Sequence, residues 1–565
     1  MNRRIFIKSG LAAGTVAVFP IAANACSKKD ATQSGREETV ADLVIIGGGL
    51  GACAAALGAL RNGLSVVMTE ETDWIGGQLT QQGVPPDEHQ YIETKGATRT
   101  YRLLRNNIRN YYRYHYPLTA EARAQQYLNP GAGSVSRLCH EPKVALAVLN
   151  EMLSPYIHAG KLDVLYFRKA VAAVTDGDKV KSVTVKDVHT GDMTYLQAPC
   201  FIDGTELGDL LPLTGAEFVT GTESQSQTGE LHAPAVANPD NQQCFTLCFA
   251  LEYDKGKDHT IQKPEEYDFW RNYTPPLTPP WPGKLLSLQY SNPYHPAEPK
   301  TLGFHPEGLS TGDALNLWIY RRIVCKTNFE AGWFAGDISL INWPQNDYPL
   351  GNLDGSEDEF KRHVACARQL NLSLLYWLQT EAPRPDGGYG WRGLRLSLPT
   401  LGTDDGMAKY PYVREARRIK AEFTVLEEHI GKENRRLVSG QDTAAEFKDS
   451  AGVGLYRIDL HFTPQGVNYL DVESLPFRIP LGALIPQRIE NLLPACKNLG
   501  VTHITNGCFR VHPAEWNIGE AAGELAAFAL KRRTTPRTVR NNPSLLSDFQ
   551  NHIRRNGIET QWNLS

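Results

Sequence analysis

The 565-residue sequence has no excess of basic charge, no CxxC pair and no internal repeat. It also has no long apolar run beyond its first 25 residues. Lys and Arg number 58 against 62 Asp and Glu, a net charge of −4. Nucleic-acid binding needs a basic footprint, and short patches such as Lys531-Arg532-Arg533 do not supply one, so no nucleic-acid partner is expected. A single terminal apolar stretch excludes a polytopic membrane protein. The nine cysteines beyond residue 26 are scattered, and Cys244 and Cys248 lack histidines at zinc spacing, so no metal centre is expected. A P-loop is missing, and no G-x-S-x-G string sits between an apolar strand and a helix as a nucleophile elbow would, which removes the main support for hydrolase and nucleotide-hydrolysing readings. What remains is an ordinary soluble composition, 41% hydrophobic and 21% charged. At roughly 150 residues per domain it is enough for two or three domains.

The first 26 residues read as an export address. Asn2 to Lys8 is a charged leader containing Arg3-Arg4, and an Ala/Gly-rich apolar run follows to Ala25. Paired arginines before Phe6 and Lys8 resemble a twin-arginine signal, against the plainer reading of a general secretory signal. Cys26 follows Ala23-Asn24-Ala25, which resembles a lipoprotein box with Ala in place of the usual Leu. A lipid there would anchor the chain to a membrane without spanning it. The expected location is periplasmic or lipid-anchored in the cell envelope. Residues 27–38 are polar and read as a linker.

Val40 to Ile46 is a near-continuous apolar run broken by Asp42, as a buried parallel strand would be. Gly47-Gly48-Gly49-Leu50-Gly51-Ala52 follows, then an Ala/Leu-rich helical stretch. Strand, glycine turn and helix form the context of a dinucleotide motif. Gly47 would make the tight turn, and Gly49 would admit a pyrophosphate to the backbone. Gly51 completes the run, and Ala52 takes the small third position. The helix N-terminus would face the phosphates. A second strand, Leu64 to Thr69, ends at Glu70, 21 residues after Gly49. An acid near that spacing binds ribose hydroxyls and disfavours a 2′-phosphate. The later Gly387-Gly388-Tyr389-Gly390 lacks a clean flanking strand and helix, so a second, pyridine-nucleotide domain is not expected.

Thr72-Asp73-Trp74-Ile75-Gly76-Gly77-Gln78-Leu79-Thr80, taken with Gly47 to Ala52, resembles a bacterial FAD-dependent oxidoreductase family marked by a "TDW-GGQ-T" segment. The resemblance continues through most of the chain. It covers Phe201-Ile202-Asp203-Gly204-Thr205-Glu206 to Leu210, Asn342 to Tyr348, Gly402 to Gly406, and Tyr410 to Arg418, with Ala416 where the family usually has Ser. Some relatives are described as xanthan lyase-like. The resemblance implies an α/β fold, with a Rossmann-like FAD-binding domain, a β-meander and an inserted α+β substrate or cap domain. FAD is the implied cofactor, held by Gly47, Gly49, Gly51, Ala52, Glu70, Gly76, Gly77, Gln78, Asp203, Gly204 and Gly519.

The expected layout is an FAD-binding domain at 39–210, a cap at 211–484, a return to the FAD domain at 485–535 and a helical tail at 536–565. The meander is expected from Leu162 to Tyr166, Val180 to Val188 and Met193 to Leu196, with turns at Asp176-Gly177-Asp178 and Thr190-Gly191-Asp192. Helices are expected over Arg99–Tyr116, Pro142–Leu153, Glu357–Glu381 and Val413–Ile430. His503 to His512 reads as a loop leading to a helix from Pro513 to about Leu530. In related flavoproteins such a helix aims its N-terminus at the flavin.

Flavin chemistry on a C–H bond needs a base and charge near the ring. His512 is the candidate base, with Glu515 beside it on the flavin-facing helix, and Arg414 and Arg510 are candidate oxyanion clamps. Arg414 and Arg417, three apart on an expected helix, would grip a carboxylate or sulfate together. His140 and Glu141 are further polar candidates. The implied activity is hydride transfer between flavin and a small polar organic substrate, with an electron acceptor left open. Two alternatives remain: a flavin-using lyase or hydrolase with an internal redox cycle acting on a carbohydrate, and a binding protein that holds FAD as a structural element.

Overall fold

The computed structural model describes residues 37–563. The signal sequence, Cys26 and all but the last two residues of the expected linker lie outside them. Glu37 and Glu38 already belong to a strand, β1 (Glu37–Val40), separated by Asp42 from β2 (Leu43–Ile46). The expected single apolar strand is therefore two. The Asp42 carboxylate turns the chain by accepting from Ser65 N–H and Oγ–H, both at 2.8 Å.

From β2 the chain enters α1 (Leu50–Arg61) and returns as β3 (Val66–Glu70). Two helices follow, α2 (Arg99–His115), capped by the Thr98 hydroxyl, and α3 (Pro142–His158), begun by a proline. Next come β4 (Leu162–Tyr166), β5 (Arg168–Asp176), β6 (Lys179–Asp187), β7 (Met193–Gln197) and β8 (Cys200–Asp203). Beyond them lie β9 (Phe249–Tyr253), β10 (Arg322–Val324), β11 (Ile338–Ile341), α4 (Glu357–Thr380), β12 (Leu394–Leu396), β13 (Ile458–Leu460) and β14 (Leu470–Val472). The chain comes back through β15 (Leu492–Pro494), α5 (His503–Phe509) and α6 (His512–Arg532).

Five strands form an all-parallel sheet in the order β15-β8-β2-β3-β4. Residues of β2, β3 and β8 are buried throughout, which is why these strands read as unbroken apolar runs. The meander is β5-β6-β7 with β1 added parallel to β7. The expectation that Leu162–Tyr166 opens the meander is corrected: that strand completes the parallel sheet. Phe167, at φ +57°, redirects the chain between the two sheets. Gly177 and Gly191 take the positive φ that their hairpin turns need.

A second sheet, β10-β11-β9-β12, lies within the expected cap. It shares one continuous hydrophobic core with α1, α6 and the parallel sheet, and the described residues form one compact unit. The 413–430 stretch is not a helix. It is extended, with Arg418–Ile419 pairing to Phe218–Val219 and a single helical turn at Glu427–Ile430. Helices at Pro536–Asn541 and Pro543–Arg555 form the tail. No helix among the described residues is long and apolar enough to cross a membrane.

Candidate functional site

The glycine run leaves β2 and enters α1 in one tight turn. Gly47 sits at φ +90°, and a Cβ there would lie 2.6 Å from the Gly204 carbonyl. The turns after β2 and β8 therefore pack backbone to backbone, with Ala52 filling the space beside Gly204. Gly48 N–H donates to Glu70 Oε2 at 3.2 Å, and Glu70 Oε1 accepts from Thr72 N–H and Oγ–H at 2.7 and 2.9 Å. Burial pushes the Glu70 carboxyl up to about 8. Gly76 and Gly77 take φ +107° and +51°, and a Cβ on Gly77 would sit 3.0 Å from Gly49 Cα. Gly47 to Gly49, Glu70, Glu71, Gln81, Gly204 to Glu206 and Tyr410 wall a narrow groove.

Some expected cofactor residues do other work. A Cβ on Gly51 would lie 1.6 Å from the Ala495 carbonyl, and one on Gly519 1.9 Å from the Gly51 carbonyl. Both glycines let α1 and α6 touch, so Gly519 is a helix-packing residue. The Asp203 carboxylate accepts from Thr205 N–H and Oγ–H (3.0 and 2.7 Å) and Leu210 N–H (3.1 Å), so it shapes its own turn. Glu515 reaches under the glycine run, accepting from Gly51 N–H at 3.1 Å and Gln78 Nε2 at 2.5 Å. Glu206, Cys496 and Glu515 bring ligand-type atoms within 4.8 Å of one another, and Lys497 is ion-paired to Glu206 at the same point.

His512 is fully buried. Its Nδ1 accepts from Asp87 N–H, and its Nε2 lies against the Val84 carbonyl, both at 3.1 Å. Burial pushes it down to about 4, so the ring is neutral and both nitrogens are spent on main chain. The expectation of a free base at His512 is corrected: the ring pins the Val84–Asp87 turn. His140 is likewise buried against its neighbour's carbonyl. Arg417 binds the Leu207 and Asp354 carbonyls, away from Arg414, because the segment is extended and not helical.

Arg414 and Arg510 do meet, in a cavity of about 580 Å³. Seven distant stretches build it: the turn at Asp87, the hairpin at 290–302, the ends of β10 and β11, Tyr412 to Arg414, β13 with β14, and Arg510. Four arginines line it, and each is paired with an aspartate. Arg321 lies 3.5 Å from Asp87, Arg414 3.0 Å from Asp347 and Arg510 3.2 Å from Asp459, while Arg457 pairs with Asp471. The guanidinium charges are thus already matched, which is not the arrangement of a free oxyanion clamp. Arg321 Nε and Nη1, Arg414 Nε and Arg510 Nε still have no partner. Tyrosines 290, 294, 320, 412, 456 and 469 complete the wall.

His461 also faces the cavity. Its Nδ1 lies 2.6 Å from Asp347 Oδ2, and its Nε2 has no hydrogen-bond partner among the described residues, with Asp459 Oδ2 3.9 Å away. Burial tends to raise the Asp347 carboxyl, but Arg414 and His461 outweigh it and hold it below the carboxylate range. Burial, then Arg414, hold His461 below its ordinary 6.5 against the pull of Asp347. The sequence reading did not single out His461, Arg321, Asp87 or Asp459. Asp347 and Tyr412 lie inside stretches quoted for the resemblance, which was the one available signal.

A family model described as "FAD dependent oxidoreductase" matches residues 42–553. The chain belongs to that family. A comparison with curated proteins finds no match. Among solved structures, the FAD oxidoreductase chain is similar to a point variant of the E. coli quinol fumarate reductase FrdA, at 10% identity and TM-score 0.31 over 92% of this chain and 74% of that one. It is also similar to the Bacillus halodurans glycerol-3-phosphate dehydrogenase complexed with FAD, at 14% and 0.21 over 38% and 39%. A third is the L-proline dehydrogenase from P. horikoshii, at 16% and 0.17 over 34% and 25%. The matches thus span well under two thirds of the latter two proteins' length, and likenesses this distant carry no argument about substrate.

The groove fits FAD by its own chemistry. The α1 N-terminus has no acidic residue in its own first turn; Glu515 takes the Gly51 N–H, and the remaining N-terminal backbone donors suit a pyrophosphate. Glu70 suits the ribose hydroxyls. Glu206 Oε1, Gln78 Oε1 and both amide atoms of Gln82 are buried without partners. Buried polar atoms are nearly always hydrogen-bonded, and a flavin with its ribityl chain offers both donors and acceptors to them. When bound, FAD supplies the redox chemistry of the flavoenzyme.

Proposed function

We propose that this FAD-dependent oxidoreductase transfers a hydride between flavin and a small polar organic substrate held in the 580 Å³ cavity. The observation that carries this reading is the convergence of Arg321, Arg414 and Arg510, all buried, on one cavity with unpartnered N–H groups. Buried donors without partners are costly, and a polar ligand would satisfy them. Tyr410 walls the cofactor groove and Tyr412 the cavity, so two residues of backbone link the two. In this reading Arg414 and Arg510 orient substrate polar groups, and the tyrosine walls exclude water and pack the carbon skeleton. Glu515 and Gln78 hold the glycine run and the α6 N-terminus in register.

The test is anaerobic addition of sugars, polyols and hydroxy acids to the FAD-loaded protein while its visible spectrum is followed. Bleaching by one class is expected. A yellow protein that none of them bleaches, yet which turns over a carbohydrate with no external acceptor, would replace this reading with an internal redox cycle.

Export belongs to the same proposal and is supported by Arg3-Arg4 and the apolar run to Ala25. Cys26 is the candidate anchor. Fractionation of cells expressing the full chain should place it in the envelope, and Arg3→Lys with Arg4→Lys should retain it in the cytoplasm.

A further inference from the structure

We infer that His461 is the catalytic base of this site, and that it takes its proton from a hydroxyl of a neutral, polyhydroxylated substrate such as a sugar or sugar alcohol. The inference rests on the reading above that the cavity is the substrate site, and it deepens that reading in two respects.

The first is the histidine. Asp347 is fully buried, accepts from Thr246 Oγ at 2.5 Å and His461 Nδ1 at 2.6 Å, and is ion-paired to Arg414 at 3.0 Å. An ionised carboxylate there accepts only, so Nδ1 carries the proton and Nε2 keeps a lone pair. That lone pair lies on the cavity side, with no hydrogen-bond partner among the described residues. His89 is the other histidine lining the cavity, and main-chain groups engage both of its ring nitrogens. His512 is held in the same way, and His140, with Nδ1 against the Glu141 carbonyl and Nε2 unpartnered, does not line the cavity. The groups packed around His461 are Asp347, Asp459, Arg414 and the Tyr469 ring, whose centroid is 5.3 Å away. Arg510 in turn pairs with Asp459.

The second is charge. Four arginines and four aspartates are matched one to one around the cavity. An anionic ligand would have to compete with an aspartate for its arginine. A hydroxyl ligand accepts from the unpartnered guanidinium N–H groups and donates to aspartate oxygens, breaking no pair. Tyrosine faces suit the C–H surfaces of such a molecule.

The step balances as an alcohol dehydrogenation. The O–H bond breaks and its proton goes to His461 Nε2. The hydrogen on the same carbon leaves with its electron pair to FAD, the oxidant of the family's reaction, and the C–O bond becomes C=O. The substrate is oxidised by two electrons, and the flavin is reduced by two.

The test uses FAD-loaded wild type, His461→Gln and Asp347→Asn, with D-glucose, D-sorbitol and D-gluconate as probes. Calorimetry on the oxidised protein should show the two neutral probes binding more tightly than gluconate. His461→Gln should keep its melting temperature, its flavin spectrum and neutral-probe affinity within a few-fold. Its rate of flavin reduction should fall on the order of 10²–10⁴-fold, with loss of the acid limb of the pH profile. Nitrogen-15 NMR of the histidine rings should find His461 protonated at Nδ1 in wild type and altered in Asp347→Asn. Preferential binding of gluconate, wild-type reduction by His461→Gln, or a proton on Nε2 would each overturn the inference. If no compound bleaches the flavin, the reading of the cavity as a substrate site fails. The NMR result still decides the state of His461 in that case.

Discussion

The cofactor groove and the arginine-lined cavity adjoin along Tyr410–Tyr412, yet they are built by opposite means. The groove is backbone. Glycines at 47, 49, 77 and 204 bring main chain against main chain, Gly48 and Gly76 admit side chains, and one carboxylate from the end of β3 ties the turn. Its tolerance is the width of a methyl group. The cavity is side chain. Its walls come from chain positions as far apart as Asp87 and Asp459, and are held open by paired charges. A backbone site is specified by which residues are small. A side-chain site is specified by which charges find partners.

The largest expected effect comes from breaking one pair in the cavity. Arg414→Ala strands a fully buried Asp347 and should destabilise the protein by about 3–5 kcal/mol, measured by urea unfolding. Replacing both partners, Arg414→Met with Asp347→Leu, should recover most of that, because the loss is an uncompensated charge and not lost volume. If the single and double variants are equally unstable, the paired-charge account of the cavity is wrong.

The groove should fail by crowding instead. Gly51→Ala drives a methyl to 1.6 Å from the Ala495 carbonyl, in the turn that follows β15, where helix α1 cannot yield without leaving the parallel sheet. A loss of about 3 kcal/mol is expected, with FAD retention lost in parallel. No second substitution in the charged cavity should rescue it. Retention of wild-type stability would show that α1 moves off the Ala495 turn at little cost.

How much of this was legible follows the same division. The groove was readable because its parts are local. Strand, Gly47 to Ala52 and Glu70 fall close together in the chain, and small-residue spacing is itself the signal. Even there Gly519 was misread, since a glycine that admits a helix and one that admits a phosphate look alike in a sequence. The cavity was not readable. His461 carries no local pattern, and its meaning comes from Asp347, 114 residues away. His512 was plausible from its place near the flavin-facing helix, but two main-chain contacts from Val84 and Asp87 decided its role. The 413–430 segment has helical composition. It is held extended where Arg418–Ile419 pairs with Phe218–Val219 and where Arg414 reaches the buried Asp347.

A smaller effect separates the two regions by pH. The Glu70 carboxyl is held at about 8 in the folded chain against an ordinary 4.5, because burial disfavours its charge. The folded state therefore binds a proton that the unfolded state has lost. The resulting stability is complete below pH 4.5 and is lost as pH rises through 8. Without FAD, wild type should lose on the order of 2 kcal/mol more than Glu70→Gln between about pH 5 and pH 9. The cavity carboxyl Asp347, held low by Arg414 and His461, should add nothing to that alkaline loss. Parallel curves for the two proteins would show that Glu70 is ionised throughout.

The smallest expected effect lies at the mouth of the cavity. Tyr294 is half exposed, and the Arg457 guanidinium sits 4.9 Å from its ring centroid. Arg457 is itself tied to Asp471, which faces Asp459 across β13 and β14. Burial first, and then Asp459, push the Asp471 carboxyl up to about 6. An exposed cation–π contact is worth roughly 0.5–1 kcal/mol. Tyr294→Ala should therefore raise KM a few-fold and leave kcat and the flavin spectrum unchanged. An unchanged KM would confine recognition to the inner three pairs. A fall in kcat would mean that the mouth also positions the reacting carbon, and the division between a rigid inner site and a permissive rim would have to be redrawn.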